Sequence, residues 1–84
     1  MAVLEALVQS NMTPTQIVVE NIYEVAKDKE FYIYELENDM EVSKGYFGRF
    51  RGKNPYLHEI SLDKVVRASE ELEVPLKRLL KGVL

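Results

Sequence analysis

Between residues 31 and 52 the apolar side chains of Leu36, Met40, Val42, Phe47 and Phe50 stand at the spacing of two short helices joined by a tight turn over one small core. The break falls at Glu41-Val42-Ser43. Ser43 is suited to cap the second helix, because its hydroxyl can accept one of the backbone N–H groups left without a partner there. From Ser43 to Leu57 the chain carries Lys44, Arg49, Arg51 and Lys53 and no acid.

That basic stretch lies inside an acidic protein of net charge -3, so non-specific nucleic-acid binding by the whole surface is disfavoured. Eight acids oppose Lys27 and Lys29 between Glu20 and Glu41, and five oppose Lys64 and Arg67 between Glu59 and Glu73. A local basic segment between acidic ones suits a phosphate-contacting site or a surface for an acidic protein partner. The 84 residues make one domain, near the lower limit for folding on its own core. With no cysteine, neither disulfides nor thiolate metal sites hold it together. No run approaches the roughly 18 apolar residues of a membrane span. The start, MAVLEALVQ, lacks a basic leader and carries Glu5, which makes it a poor signal peptide and a cytoplasmic protein the expectation.

Residues 1–12 form an N-terminal extension in this reading, with Val3, Leu4, Leu7 and Val8 on one helical stripe. They suit an extra helix closing the chain's own core, an arm reaching a second subunit, or a frayed end. The main domain spans 13–84. Thr13-Pro14-Thr15-Gln16 combines a cap, a proline at the first helical position and the glutamine of a capping box. The helix it opens should run to about residue 29, with Val18, Ile22, Val25 and Ala26 inward and Val19 and Tyr23 widening the apolar face. Glu20, Glu24 and Asp28 make like-charge pairs four residues apart on that helix.

Further helices are expected over about 32–40 and 44–51. Gly45 and Gly48 fall within the latter, either to let it cross its neighbour closely or to bring its backbone near a ligand. A loop follows at Gly52-Lys53-Asn54-Pro55-Tyr56. Ser61 should cap a helix over about 62–73 with Leu62, Val65, Val66, Ser69 and Leu72 inward, and Val74-Pro75 should end it. Pro75 opens a last short helix with Leu76, Leu79 and Leu80. The expected fold is all-α with five to six helices.

This order resembles the lambda-repressor-like (Xre/Cro-type) helix-turn-helix family over about residues 17–80. The motif would be residues 33–51, with Leu36, Met40, Val42, Phe47 and Phe50 at its hydrophobic positions. The stretch ISLDKVVRASEELEVPLKRLL (residues 60–80) is similar to the family's fourth and fifth helices. Three positions depart from the family pattern: Ile33 replaces a glutamine that contacts the DNA backbone, Glu37 a small residue at the helix crossing, and Glu41 a turn glycine. Glu37 and Glu41 are compatible with the fold if they face solvent or pair with Lys44 or Arg49, and they add negative charge close to the DNA face that the resemblance implies.

The resemblance implies a sequence-specific DNA-binding regulator of transcription, of the repressor type found in phage and mobile elements, binding operator DNA as a homodimer. Helix 44–51 would enter the major groove. Lys44 and Arg49 would face base edges, Arg49 with a bidentate contact to guanine, and Ser43 and Tyr46 would meet phosphate or base edges nearby. Arg51, Lys53 and Asn54 would hold the backbone, and the N-terminus of the preceding helix, near Tyr32, would offer N–H groups to a phosphate. Leu79, Leu80, Val83 and Leu84, or the Val3/Leu7 stripe, are the candidate dimer surfaces.

The alternative on the same fold is a protein-interaction module, antirepressor- or antitoxin-like, whose basic segment docks an acidic protein. Tyr23, Tyr32, Tyr34 and Tyr56 read as half-buried packing residues, and the single His58 as structural. No catalytic triad, phosphate loop or metal-ligand spacing is present. Glu70 and Glu71 are adjacent on a helix and do not face each other. No enzyme activity, cofactor, metal or membrane association is expected.

Overall fold

The computed structural model describes residues 12–51 and 59–83. Among them are four α-helices, one 3-10 helix and no strand: α1 (Pro14–Asp28), α2 (Ile33–Asp39), the 3-10 helix (Phe47–Arg51), α3 (Leu62–Leu72) and α4 (Leu76–Leu79). The described residues are all-α, with fewer helices among them than the five to six expected. Residues 1–11, where another was anticipated, lie outside the described part.

α1 is the element the others pack on; α3, α4 and the 3-10 helix all touch it. It starts as its sequence dictates. Thr13 Oγ1 accepts the Gln16 N–H at 3.1 Å, and Gln16 Oε1 accepts the Thr13 N–H at 2.7 Å. Val18, Val19, Ile22, Val25 and Ala26 are buried along it, each of the larger ones contributing about 1.5–3 kcal/mol of hydrophobic stabilisation. Its crowded carboxylates find arginines from elsewhere in the fold. Glu20 pairs with Arg51 at 2.7 Å, and Glu24 with Arg78 at 3.0 Å. Asn21 Nδ2 donates to the carbonyls of Leu79 and Lys81, both at 2.8 Å, satisfying acceptors at the C-terminal end of α4.

α1, α2 and α3 end the same way, with a glutamate in the left-handed conformation. The φ values are 56° at Glu30, 59° at Glu41 and 55° at Glu73. In each case the glutamate N–H reaches back three residues, to Lys27, Asn38 or Glu70. The next residue's N–H reaches back five, to Ala26 at 2.7 Å, Glu37 at 3.0 Å or Ser69 at 3.0 Å. These are Schellman closures, which glycine usually makes. The following residue is Phe31, Val42 or Val74, and each packs on the core.

α3 is capped by Ser61, whose Oγ accepts the Lys64 N–H at 3.3 Å. Its buried stripe is Val65, Ala68, Ser69 and Leu72. Leu62, expected inward, is 64% exposed, because it stands one turn ahead of the first buried position. Pro75 precedes α4 as anticipated, and Leu79 is fully buried. It is therefore a core residue, not part of a dimer surface; Leu80 and Val83 are half-buried against the same core.

Two expectations for residues 44–51 are corrected. Residues 44–46 form a turn in which Gly45 has φ 84°, and only Phe47–Arg51 is helical, as a 3-10 helix. The left-handed glycine stops α winding. The bonds that form are the tighter ones, from the Tyr46 N–H to Ser43 O at 3.0 Å and from the Arg49 N–H to Tyr46 O at 3.3 Å. Ser43 caps no α-helix. Among the described residues the glycines do not serve close packing, since a Cβ at Gly45 or Gly48 meets nothing within 4 Å there.

Candidate nucleic-acid interface

Glu37 organises this corner. It is 3% exposed, not solvent-facing and not paired with Lys44 or Arg49. Its Oε1 accepts the Gly45 N–H at 3.0 Å and its Oε2 the Phe47 N–H at 3.0 Å. One buried carboxylate thus satisfies two backbone donors of the second element from the side of the first. Such charge-assisted bonds are roughly twice as strong as neutral ones. Phe47 and Phe50 are buried beneath, and Tyr46 packs edge-on to both at 5.3 and 5.4 Å.

On the outside of this corner Ser43, Lys44 and Arg49 are exposed. Arg49 Nη2 donates to Ser43 Oγ at 2.9 Å, which brings the two side chains together across the turn. Lys44 has no ion pair among the described residues and lines a groove with Tyr34, Glu35, Glu37, Asn38, Asp39 and Val42. Tyr46 is half-buried. Burial raises its phenol above the ordinary value near 10, with Arg49 opposing that shift.

Arg51 is placed differently from the others. Its Nε donates to Glu20 Oε2 at 2.7 Å, and its guanidinium lies 4.1 Å from the centre of the Tyr23 ring. Tyr23 above all holds the guanidinium above its usual pKa; desolvation by burial opposes it, and the Glu20 carboxylate adds to the rise. The residue ties the end of the 3-10 helix to α1. Lys53 and Asn54 lie outside the described residues, as do Tyr56 and His58.

At the start of α2, Glu35 Oε1 accepts the Tyr32 N–H at 3.3 Å, so the chain's own carboxylate takes the place foreseen for a phosphate. Tyr32 and Tyr34 are 66% and 59% exposed and stack on each other with ring centres 5.5 Å apart. They are surface residues and not the half-buried packing residues expected.

The structure brings Ser43, Lys44, Tyr46 and Arg49 together and sets Arg51 apart. Sequence reasoning missed Glu37 as a buried cap, and Glu20 and Tyr23 as the seat of Arg51. No periodicity signals a carboxylate eight and ten residues ahead of the N–H groups it serves. Among the described residues no His, Cys, Asp or Glu cluster is placed to hold a metal ion, and no helix is long and apolar enough to cross a membrane. Comparison with protein-family models, with curated proteins and with solved structures finds no match to this chain.

Proposed function

We propose that the chain is a sequence-specific binder of double-stranded DNA that regulates transcription, a lambda-repressor-like reading in which residues 43–49 meet the major groove. The observation that carries it is the pairing of Arg49 with Ser43 at 2.9 Å on an exposed turn, within a run of sequence, residues 43–57, that has no acid, and clamped from behind by Glu37. The Arg49 fork is poised for a guanine edge, and Lys44 beside it for a base edge or phosphate. Arg51 acts as a positioning residue that fixes the corner to α1. Operator binding as a homodimer belongs to this reading.

Titrating the labelled protein with a mixed-sequence duplex of about 20 base pairs at about 0.05 M salt tests it, since sequence-independent binding is strongest at low salt. Amide shifts centred on Ser43, Lys44 and Arg49 are expected. Shifts confined to other elements would contradict it.

A second reading, a protein-interaction module, draws on one observation. Residues 44–46 are a turn and not the first turn of an α-helix, so the element offered to a groove is short. In that reading the same Lys44 and Arg49 meet carboxylates of a protein partner.

A further inference from the structure

Away from this corner, the C-terminal half of α1 and the region around α4 enclose an open groove of about 780 Å³ that shares no residue with it. Its floor includes Val25, Val74 and Leu80. Val74 and Leu80 are half-buried and Val25 fully so. Around them stand Lys29, Lys77 and Lys81, all exposed, and none of these is in an ion pair among the described residues. Asp28 is the one acid on the lining. A locally cationic rim on a protein of net charge -3 is a property of this site and not of the surface at large.

Arg78 adds a second observation. It lines the same groove. Its Nη2 donates to Glu24 Oε1 at 3.0 Å, but its Nη1 is buried with no hydrogen-bond partner among the described residues. Buried donors in native proteins are nearly always satisfied, and an unmet one on a guanidinium costs more than a neutral one. A carboxylate arriving at this wall would give the Arg78 guanidinium a second acidic partner beside Glu24.

The shape narrows the class of occupant. A small amphiphile is bound well when most of its surface is enclosed, and this groove is open. A membrane surface is met by projecting apolar side chains, whereas these are recessed. A nucleic acid gains nothing from an apolar floor. An amphipathic helix laid with its apolar side chains in the groove and its acids over the rim fits both the floor and the charge.

We propose that this groove docks an acidic amphipathic segment of a partner protein, with aliphatic side chains on Val25, Val74 and Leu80 and carboxylates on Lys77, Lys81 and Arg78. The site is independent of the DNA-binding reading and gives the chain a second surface, through which a partner would hold it.

The test is selection from a displayed library of segments about 15 residues long, about four helical turns. They are apolar at i, i+3, i+4 and i+7 and randomised elsewhere, and are presented to the full chain. Enrichment in Asp and Glu is expected, with peptide-induced amide shifts at Val25, Val74, Leu80 and Lys81. The double variant Lys77→Glu/Lys81→Glu should melt like the parent, weaken the selected peptide at least about tenfold, and enrich Lys and Arg from the same library. No enrichment, enrichment indifferent to charge, or shifts outside the groove would overturn the proposal. So would occupation of the groove by oleate or by phosphatidylglycerol vesicles that the selected peptide does not displace, or by a second copy of the chain.

Discussion

The carboxylate of Glu37 accepts the backbone N–H of Phe47 at 3.0 Å, ten residues further along the chain. With the parallel bond to Gly45, it joins α2 to the turn and 3-10 helix that carry Lys44 and Arg49. A hydrogen-bonded carboxylate and two buried phenylalanines therefore hold this corner in place of a long second helix.

Replacing Glu37 by alanine leaves the Gly45 and Phe47 N–H groups without their acceptor. It should cost about 2–3 kcal/mol of unfolding free energy, in the range for hydrogen bonds to a charged group. Glu37→Gln keeps one acceptor oxygen and should cost less. Urea unfolding of the two variants checks the order; equal stability of Glu37→Ala and the parent would show that the clamp contributes nothing.

Gly45 and Gly48 should respond oppositely to alanine. Neither position is sterically closed, but Gly45 sits at φ 84°, where an L side chain costs roughly 1–2 kcal/mol. Gly48 has no such requirement, so Gly48→Ala should be neutral or stabilising by about 0.4–1 kcal/mol. A thermal melt of each variant decides it. If Gly48→Ala also weakens DNA binding without loss of stability, the bare backbone at Gly48 approaches the duplex.

The three left-handed glutamates are expected to be a reservoir of stability. Glu41→Gly relieves the left-handed strain and removes a negative charge from a helix C-terminus, where the dipole disfavours it. It should gain about 0.5–1 kcal/mol by denaturant unfolding, after the extra flexibility of glycine in the unfolded chain is offset. Glu30→Gly and Glu73→Gly should behave alike, because the backbone closure is the same at all three.

Tyr46 should make stability fall in strong base. Its folded pKa is raised by burial, so the folded chain holds the phenolic proton more tightly than the unfolded one. That contribution is fully present below the unfolded value near 10 and is lost as pH rises through the folded value. Tyr46→Phe should remove part of the decline in unfolding free energy above about pH 10 while leaving the neutral-pH slope unchanged. An identical decline in both proteins would place the phenol outside any unfavourable environment.

Much of the architecture is legible in the residues because it rests on local rules. Thr13-Pro14-Thr15-Gln16, Ser61 and Val74-Pro75 act within one turn of themselves, and the helix boundaries they specify are the observed ones. The stripe of α1 follows from period alone. What escaped depends on distant partners. Glu37 is an unremarked acid until the chain folds Gly45 and Phe47 over it. Arg51 joins the basic run in sequence, yet Glu20 and Tyr23, three residues apart on one face of α1, draw it onto that helix. The turn at Gly45 was hidden because glycine fits a helix and a left-handed turn alike, and the choice lies with the Glu37 carboxylate.

The most direct measurement is selection from a randomised duplex pool at about 0.1–0.15 M salt, with sequencing of the bound fraction, for the parent, Arg49→Ala and Arg51→Ala. A palindromic site is expected for the parent. Arg49→Ala should relax the preference at one base pair per half-site and weaken binding by about 1–3 kcal/mol. Arg51→Ala should keep the preference and lose about 1 kcal/mol of stability with its exposed ion pair and ring contact. A folded parent that enriches no sequence, or an Arg49→Ala variant with the parent's site and affinity, would contradict the central claim that the Ser43–Arg49 corner reads DNA.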